Sequence, residues 1–309
     1  MKILGIGNAI VDVLCKVDDE FLKKYSLTKS TMKLIDEIEF KNLISEVKIE
    51  ETISGGSVAN SIVGLSQLGN DVGFIGKVKN DDLGKKYEEG LKKENVSYLY
   101  SKKHEPLPTG SCLILITPDS ERTMCTFLGT AGKINDEDVN LEIVKKSEIT
   151  FLEGYLWDEG EPKKAFDKAI NNSNKVAMSL SDLFCVERHK LQFLEMVKNR
   201  LDITFCNEQE ISALIDAKDF NEVVSFCKNI KRLVIVTRGE KGSVVINHND
   251  IVECESKKNI DIKDLTGAGD LFAAGFLHGH INNLSLRESL ELGTDMSSKI
   301  IQKIGARLD

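Results

Sequence analysis

Asp264-Leu-Thr-Gly-Ala-Gly-Asp270, followed at once by Leu-Phe-Ala-Ala-Gly-Phe-Leu277, is the stretch around which the chain is organised. It reads as a strand end, a glycine turn and the first turn of a buried helix. Gly267, Ala268 and Gly269 are small enough for backbone N–H groups to converge on one point, and a helix N-terminus behind them adds roughly half a positive charge there. Asp270 places a carboxylate beside that anion-receiving point. The pairing suits a reaction in which the carboxylate takes a proton from a hydroxyl while the turn receives developing negative charge. Taken alone, the same pattern fits an ordinary helix start behind a tight turn.

Working outward, strands alternate with helices along most of the 309 residues. Apolar runs at 2–6, 71–76, 149–154, 176–181, 203–206 and 233–237 read as buried parallel strands, and helices are expected between them. This rhythm predicts an α/β fold with a doubly wound, mostly parallel sheet and helices on both faces. Two regions break it. Thr109–Ile116 and Arg122–Phe127, joined by a turn at 117–121, read as a hairpin. With residues 13–17 and 31–35 it is expected to form a small lid sheet that excludes water from a site. Glu37–Glu50 reads as a charged amphipathic helix. No repeat, low-complexity tract or linker appears, so one domain over 1–309 is expected, with a lid from about 13–35 and 97–128 inserted into it.

Composition excludes several classes. A formal net charge of −8 with no dense basic run argues against a nucleic-acid surface. No apolar run approaches a bilayer span, and Met1–Gly7 enters a strand without a signal-peptide layout. Seven cysteines, an odd number without a Cys-x-x-Cys, favour a reducing cytoplasm over a disulfide framework.

In open α/β sheets, ligands bind beyond the carboxyl ends of the strands, and the polar loops of this chain all follow strands. Gly5-Ile-Gly7 begins like a dinucleotide fingerprint but lacks the third glycine and runs on into strand-like residues. Asn8 and Asp12 suit ligand hydroxyls, a carboxylate matching a vicinal diol; they equally suit a turn and a strand edge. Gly55-Gly56 lets backbone approach a ligand, with Asn60 projecting from the following helical turn. Asn207 and Glu210 share a helix face and offer oxygens to a water-held Mg2+, or else form a capping box. Thr237-Arg-Gly239-Glu-Lys-Gly242 supplies backbone donors and a hydroxyl, or a simple hairpin turn. The P-loop and protein-kinase signatures are absent.

Together, Asp264-x-Thr-Gly-Ala-Gly-Asp270 and Gly55-Gly56…Asn60 resemble the two signatures of the ribokinase-like (PfkB-type) carbohydrate kinases. Asn207-x-x-Glu210 resembles the family's magnesium-associated motif, and Thr237-x-Gly239-x-x-Gly242 its nucleotide-binding turn. Gly7–Asp12, Asp19–Leu27, Thr109–Cys112, Arg122 and Phe205–Glu210 are most similar to the branch that phosphorylates adenosine.

The resemblance implies ATP-dependent phosphorylation of a nucleoside 5′-hydroxyl. It implies Asp270 as general base, Gly267, Ala268 and Gly269 as anion hole, and Arg122 reaching the transferred phosphate from the lid. Asp12 and Asn60, with Asn8, Gly55 and Gly56 alongside, would hold the ribose, and Tyr155 or Trp157 would wall the base. Asn207, Thr237, Gly239 and Gly242 would serve the nucleotide, and Asn207 and Glu210 the Mg2+. A monovalent cation (K+) is a further family cofactor, although Leu265 replaces a small or hydroxyl residue beside that loop. Thr294 stands where many sugar kinases have Asn. The alternatives are a ribose or fructose kinase of the same fold and a sugar- or nucleotide-binding regulator. Both a monomer and a homodimer paired through the lid are compatible with the chain.

Overall fold

The computed structural model describes residues 1–101, 103–119, 121–157 and 160–308. Among these residues, nine strands form a large sheet in the spatial order Ile251–Cys254, Ser243–Ile246, Leu233–Thr237, Ile203–Asn207, Val176–Ser179, Ile149–Glu153, Ile3–Ile6, Val72–Ile75 and Ser97–Tyr98. Every neighbouring pair is parallel except the two made by Ser243–Ile246. The central strands are mostly apolar on both sides because both faces are covered. Ile3, Phe74 and Phe151 pack into one core with Phe272 and Phe276, whereas Leu4, Ile75 and Leu152 pack into another with Phe166 and Phe193. Period-two alternation thus feeds two cores from each strand.

A second sheet has the order Met32–Leu34, Arg122–Phe127, Ser111–Ile116, Ile10–Lys16 and Ile49–Gly55. One of its faces, with Val11, Val13, Leu113 and Leu115, joins the main core together with Phe40 and Leu43 of the Glu37–Glu46 helix. The other face carries Ile10, Cys112 and Ile114, packed with Met124 and Leu128. It therefore presents an apolar surface on the side away from that core.

Several boundaries differ from the sequence expectation. The charged helix stops at Glu46, and Ile49–Gly55 is an antiparallel partner of Ile10–Lys16. The alternation Ile49-Glu-Glu-Thr-Ile53 is the strand signal, masked by its continuity with a charged helix. Ser97–Tyr98 pairs with Val72–Ile75 in the large sheet, not in the small one. The turn of the 111–127 hairpin contains Ser120, which lies outside the described residues. No strand precedes the glycine turn: residues 255–265 are irregular. Two helices, Leu183–Arg188 and Lys190–Asn199, connect Val176–Ser179 to Ile203–Asn207. Among the described residues no helix is long and apolar enough to cross a membrane.

The helices that bring the site together are Ser57–Gln67, Ala268–Ile281 and Leu286–Ile300. They approach closely because glycines lie at the crossings. A Cβ on Gly64 would come within 2.8 Å of Leu271 Cδ1, and one on Gly275 within 2.5 Å of the Leu292 carbonyl oxygen. The second neighbour is backbone and cannot swing aside. Gly275→Ala is expected to cost about 1–3 kcal/mol, as overpacking in a close-packed core does, and to be read as a lowered Tm with the same far-UV circular dichroism.

Candidate active site

The strand ends and loops converge on a cavity of about 770 Å3 between the large sheet's rim and the small sheet. Asn8, Asp12, Gly56, Asn207, Glu210, Thr237 and the Gly267–Asp270 turn all line it. Gly55, Asn60, Arg122, Gly239 and Gly242 stand behind or beside it.

At the centre is Asp270, in the first turn of the Ala268–Ile281 helix. Ser57 Oγ donates to its Oδ1 at 2.6 Å, and Asn60 Nδ2 donates to its Oδ2 at 3.0 Å. Ser61 Oγ donates to its backbone carbonyl at 2.8 Å. Burial pushes the carboxyl up to about 6, opposed by the Ser57 and Asn60 donors and by the Arg307 charge. Asn60 therefore touches Asp270 itself; it is not part of the cavity wall.

The glycine turn is built by backbone conformation. Gly267 is the helix N-cap with φ of 78°, in the left-handed region, and a Cβ there would lie 2.8 Å from Ala306 Cα. Any side chain would be both strained and overlapped. Ala268 N–H donates to the Leu265 carbonyl at 3.2 Å. The amides of Gly267, Gly269 and Asp270 have no acceptor among the described residues, so they are the donors free for an anion, and Ala268 supplies shape more than a donor. Asp264 holds the turn from below, accepting from Thr266 N–H and Oγ and from Gly305 N–H at 2.7 Å. Arg122, at the start of its strand, pairs with Asp264 Oδ2 at 2.9 Å. It thus links the small sheet to the turn's base and does not line the cavity.

The double glycine makes room for the polar floor. A Cβ on Gly55 would lie 2.4 Å from Asp12 Oδ2, and one on Gly56, whose φ is 103°, would lie 2.2 Å from the Asn8 carbonyl. Burial raises Asp12 to about 7, against the lowering effects of Arg307 and Arg122. Asn8 Oδ1 is buried without a partner among the described residues. Both side chains therefore have acceptor capacity left for a ligand.

Asn207 and Glu210 form a reciprocal capping box: Glu210 N–H donates to Asn207 Oδ1 at 2.8 Å, and Asn207 N–H to Glu210 Oε2 at 3.0 Å. They still line the cavity, and burial raises Glu210 to about 7, with the Asp182 carboxylate adding to the rise. No group of three or more potential ligands lies together among the described residues. Thr237, with Asn207, also borders a second cavity of about 620 Å3 that includes Arg238, Gly239 and Lys241. Gly242 shapes the return strand: its φ is 85°, and a Cβ would meet the Cys254 carbonyl at 2.1 Å.

The two candidates for an aromatic wall separate. Tyr155 lines the cavity, whereas Trp157 is 2% exposed and packs between Phe166 and Phe193. Thr294 is buried, with its hydroxyl 3.6 Å from the Cys254 sulfur, and lines neither cavity.

Two acidic and basic groups were passed over in the sequence. Glu153, closing the Ile149–Glu153 strand, accepts from the backbone of Asn8 at 2.9 Å and of Val58 at 2.8 Å. Its signal was a charged residue ending a buried apolar run, made possible by Gly7, where a Cβ would lie 2.6 Å from its Oε2. Arg307 follows the last helix, and its Nε donates to Asn60 Oδ1 at 3.3 Å. No local pattern marks it.

A buried carboxylate beside free amides, on the rim of a parallel sheet and roofed by a second sheet, is the arrangement of a ribokinase-like phosphotransferase acting on an alcohol group. The chain belongs to the pfkB family of carbohydrate kinases, whose sequence profile matches residues 23–309. It is similar to the solved adenosine kinase of Sinorhizobium meliloti, at 36% identity and a TM-score of 0.90, over 99% of this chain and 95% of that one. It is also similar to a probable sugar kinase from Rhizobium etli CFN 42, at 34% identity and a TM-score of 0.88, over 99% and 94%. The adenosine kinase of Schizophyllum commune is 25% identical in an alignment that covers 98% of this chain and 96% of its own.

Glu153 is expected to show in the pH dependence of stability. Burial raises its carboxyl from 4.5 to about 7, outweighing the two backbone donors. Between those values the folded chain holds a proton that the unfolded chain releases, so this contribution is full below the unfolded pKa and is lost as pH rises toward 7. In urea titrations at pH 5 and pH 7, Glu153→Gln should shrink the fall in unfolding free energy between the two; an unchanged fall would remove Glu153 as its source.

Proposed function

We propose that the chain transfers the γ-phosphoryl group of ATP to the 5′-hydroxyl of a nucleoside, adenosine foremost. The observation that carries this reading is the cavity's two-sided lining. Asn8, Asp12 and Asp270 supply its polar groups, and Ile10, Met32, Leu34, Met124 and Leu128 on the small-sheet side, with Phe184, supply its apolar surface. A free sugar, with hydroxyls all round, has little use for an apolar slot above it. A nucleoside has a diol for the polar groups and a flat aromatic base for the apolar surface. The similarity to adenosine kinases supports the same substrate.

In this reading Asp12 and the Asn8 side-chain Oδ1 accept hydrogen bonds from the ribose diol. Asp270, held by Ser57 and Asn60, takes the proton of the 5′-hydroxyl as its oxygen attacks the γ-phosphorus. The bond from that phosphorus to the β-γ bridging oxygen breaks, and ADP leaves. The Gly267, Gly269 and Asp270 amides face the charge that accumulates on the phosphoryl oxygens. ATP lies along Thr237 and Gly239, where the two cavities share Asn207 and Thr237. Glu210 and Asn207, whose oxygens are partly committed to each other, suit Mg2+ held through water. The ion would neutralise phosphate charge there. Arg122 is in reach of the turn's base and would turn from Asp264 to the transferred phosphate.

An ADP-release assay across adenosine, guanosine, inosine, ribose and fructose tests the substrate. Turnover of adenosine in preference to free sugars is expected; turnover of ribose or fructose alone would make the chain a sugar kinase. Binding without turnover of any of the five would make it a regulator. Asp270→Ala should keep adenosine binding in calorimetry and lose at least about a hundredfold in kcat, the usual worth of a general base. A near-normal rate would remove Asp270 from that role.

A further inference from the structure

Behind the cavity floor, a basic side chain arrives from a segment that none of the site's motifs include. Residues 301–308 leave the Leu286–Ile300 helix and run beneath the glycine turn. Ala306 fills the space that a Gly267 side chain would need, Gly305 N–H is held by Asp264, and the Leu308 carbonyl accepts from Gln67 Nε2 at 2.8 Å. The segment is therefore anchored on both sides of Arg307. Arg307 Nε reaches Asn60 Oδ1, and its Nη2 is buried with no partner among the described residues.

We propose that Arg307 is a positioning residue for the phosphoryl transfer, acting on Asp270 through Asn60 and through its own charge. This inference rests on the reading of Asp270 as the base. The first route is orientation. The Asn60 amide can meet a carboxylate only with its NH2 group, and it can meet an Arg N–H only with its carbonyl oxygen. Arg307 on one side and Asp270 on the other select the same orientation. Without Arg307 only the Asp270 carboxylate holds that orientation, and the flipped form, which would set an oxygen against the carboxylate, loses one of the two contacts that oppose it.

The second route is charge. Asp12, Asp270, Tyr87 and Glu94 all feel Arg307, and Asp12 also faces Arg122 and the Asp270 carboxylate. Glu153 in turn faces Asp270. Three carboxyls thus crowd one buried floor, and Arg307 is a cation placed among them. A base must be ionised to take a proton, and Arg307 favours the ionised forms of Asp12 and Asp270.

The test is the pH profile of kcat/KM for adenosine, from pH 5.5 to 9, for wild type, Arg307→Met, Arg307→Gln and Arg307→Lys, with Asp270→Asn as a control and Tm read for each. Arg307→Met should lose about tenfold near pH 6, recover part of that loss by pH 9, and shift the acid limb upward by about one pH unit, as loss of a neighbouring opposite charge does. Arg307→Lys should restore the limb to near its wild-type position. Arg307→Gln keeps a donor for Asn60 without the charge, and should shift the limb as Met does with a smaller loss at pH 9. It also carries the test if the Met variant does not fold. An equal loss at every pH, or an unmoved limb in both uncharged variants, overturns the inference. Activity in Asp270→Asn would instead overturn the base assignment, whatever the Arg307 variants do.

Discussion

Two helix N-termini meet at one carboxylate. The Ser57–Gln67 helix sends Ser57 and Asn60 to the Asp270 side chain and Ser61 to its carbonyl, across more than two hundred residues of sequence. Spacing puts all three on one helix face: Ser57 pairs with Asn60 at three residues and with Ser61 at four. The contact needs the two helices nearly touching, which is why Gly64 lies against Leu271 and Ala274. Both helices also point their positive ends toward the carboxylate. A buried acid with two fixed donors is held in one orientation by the fold itself.

The same crossing explains why the floor is acidic and yet held together. Asp12, Glu153 and Asp270 each have burial as the largest influence on their titration. Isolated, such groups would shed their charge. They are kept close to ionisation by different means: Glu153 by two backbone amides, Asp270 by two side chains, Asp12 by arginines. Glu153 is the brace of this set. Its two oxygens tie the Asn8 loop to the start of the Ser57–Gln67 helix, so the cavity-lining Asn8 and the Asp270-facing Ser57 share one support.

What was legible in the sequence was local chemistry. Gly267 announces a positive φ, the Gly55-Gly56 pair announces a close approach, and Asn207-x-x-Glu210 announces a helix cap; each needs only neighbours in the chain. The buried strands were legible because both faces are covered and the runs are mostly apolar. The strand Ile49–Gly55 was not, because at a sheet edge its residues 49–51 are exposed and carry charge, so its pattern merges with the helix before it. Trp157 was offered as a ligand wall because aromatic residues serve both walls and cores, and only packing on Phe166 and Phe193 separates the two. The role of Ser57 beyond starting a helix, and the position of Arg307, depend on contacts with no local trace at all.

Asp264 shows how such distant parts become one device. Its Oδ1 closes the turn on Thr266, and its Oδ2 takes both the Gly305 amide and Arg122 of the small sheet. One carboxylate thus joins the glycine turn, the segment beneath it and the sheet above the cavity. An anion at the turn would compete with Asp264 for the Arg122 guanidinium, while the Thr266 and Gly305 donors would still hold Asp264 in place. The small sheet can then change its electrostatic partner without the turn losing its shape.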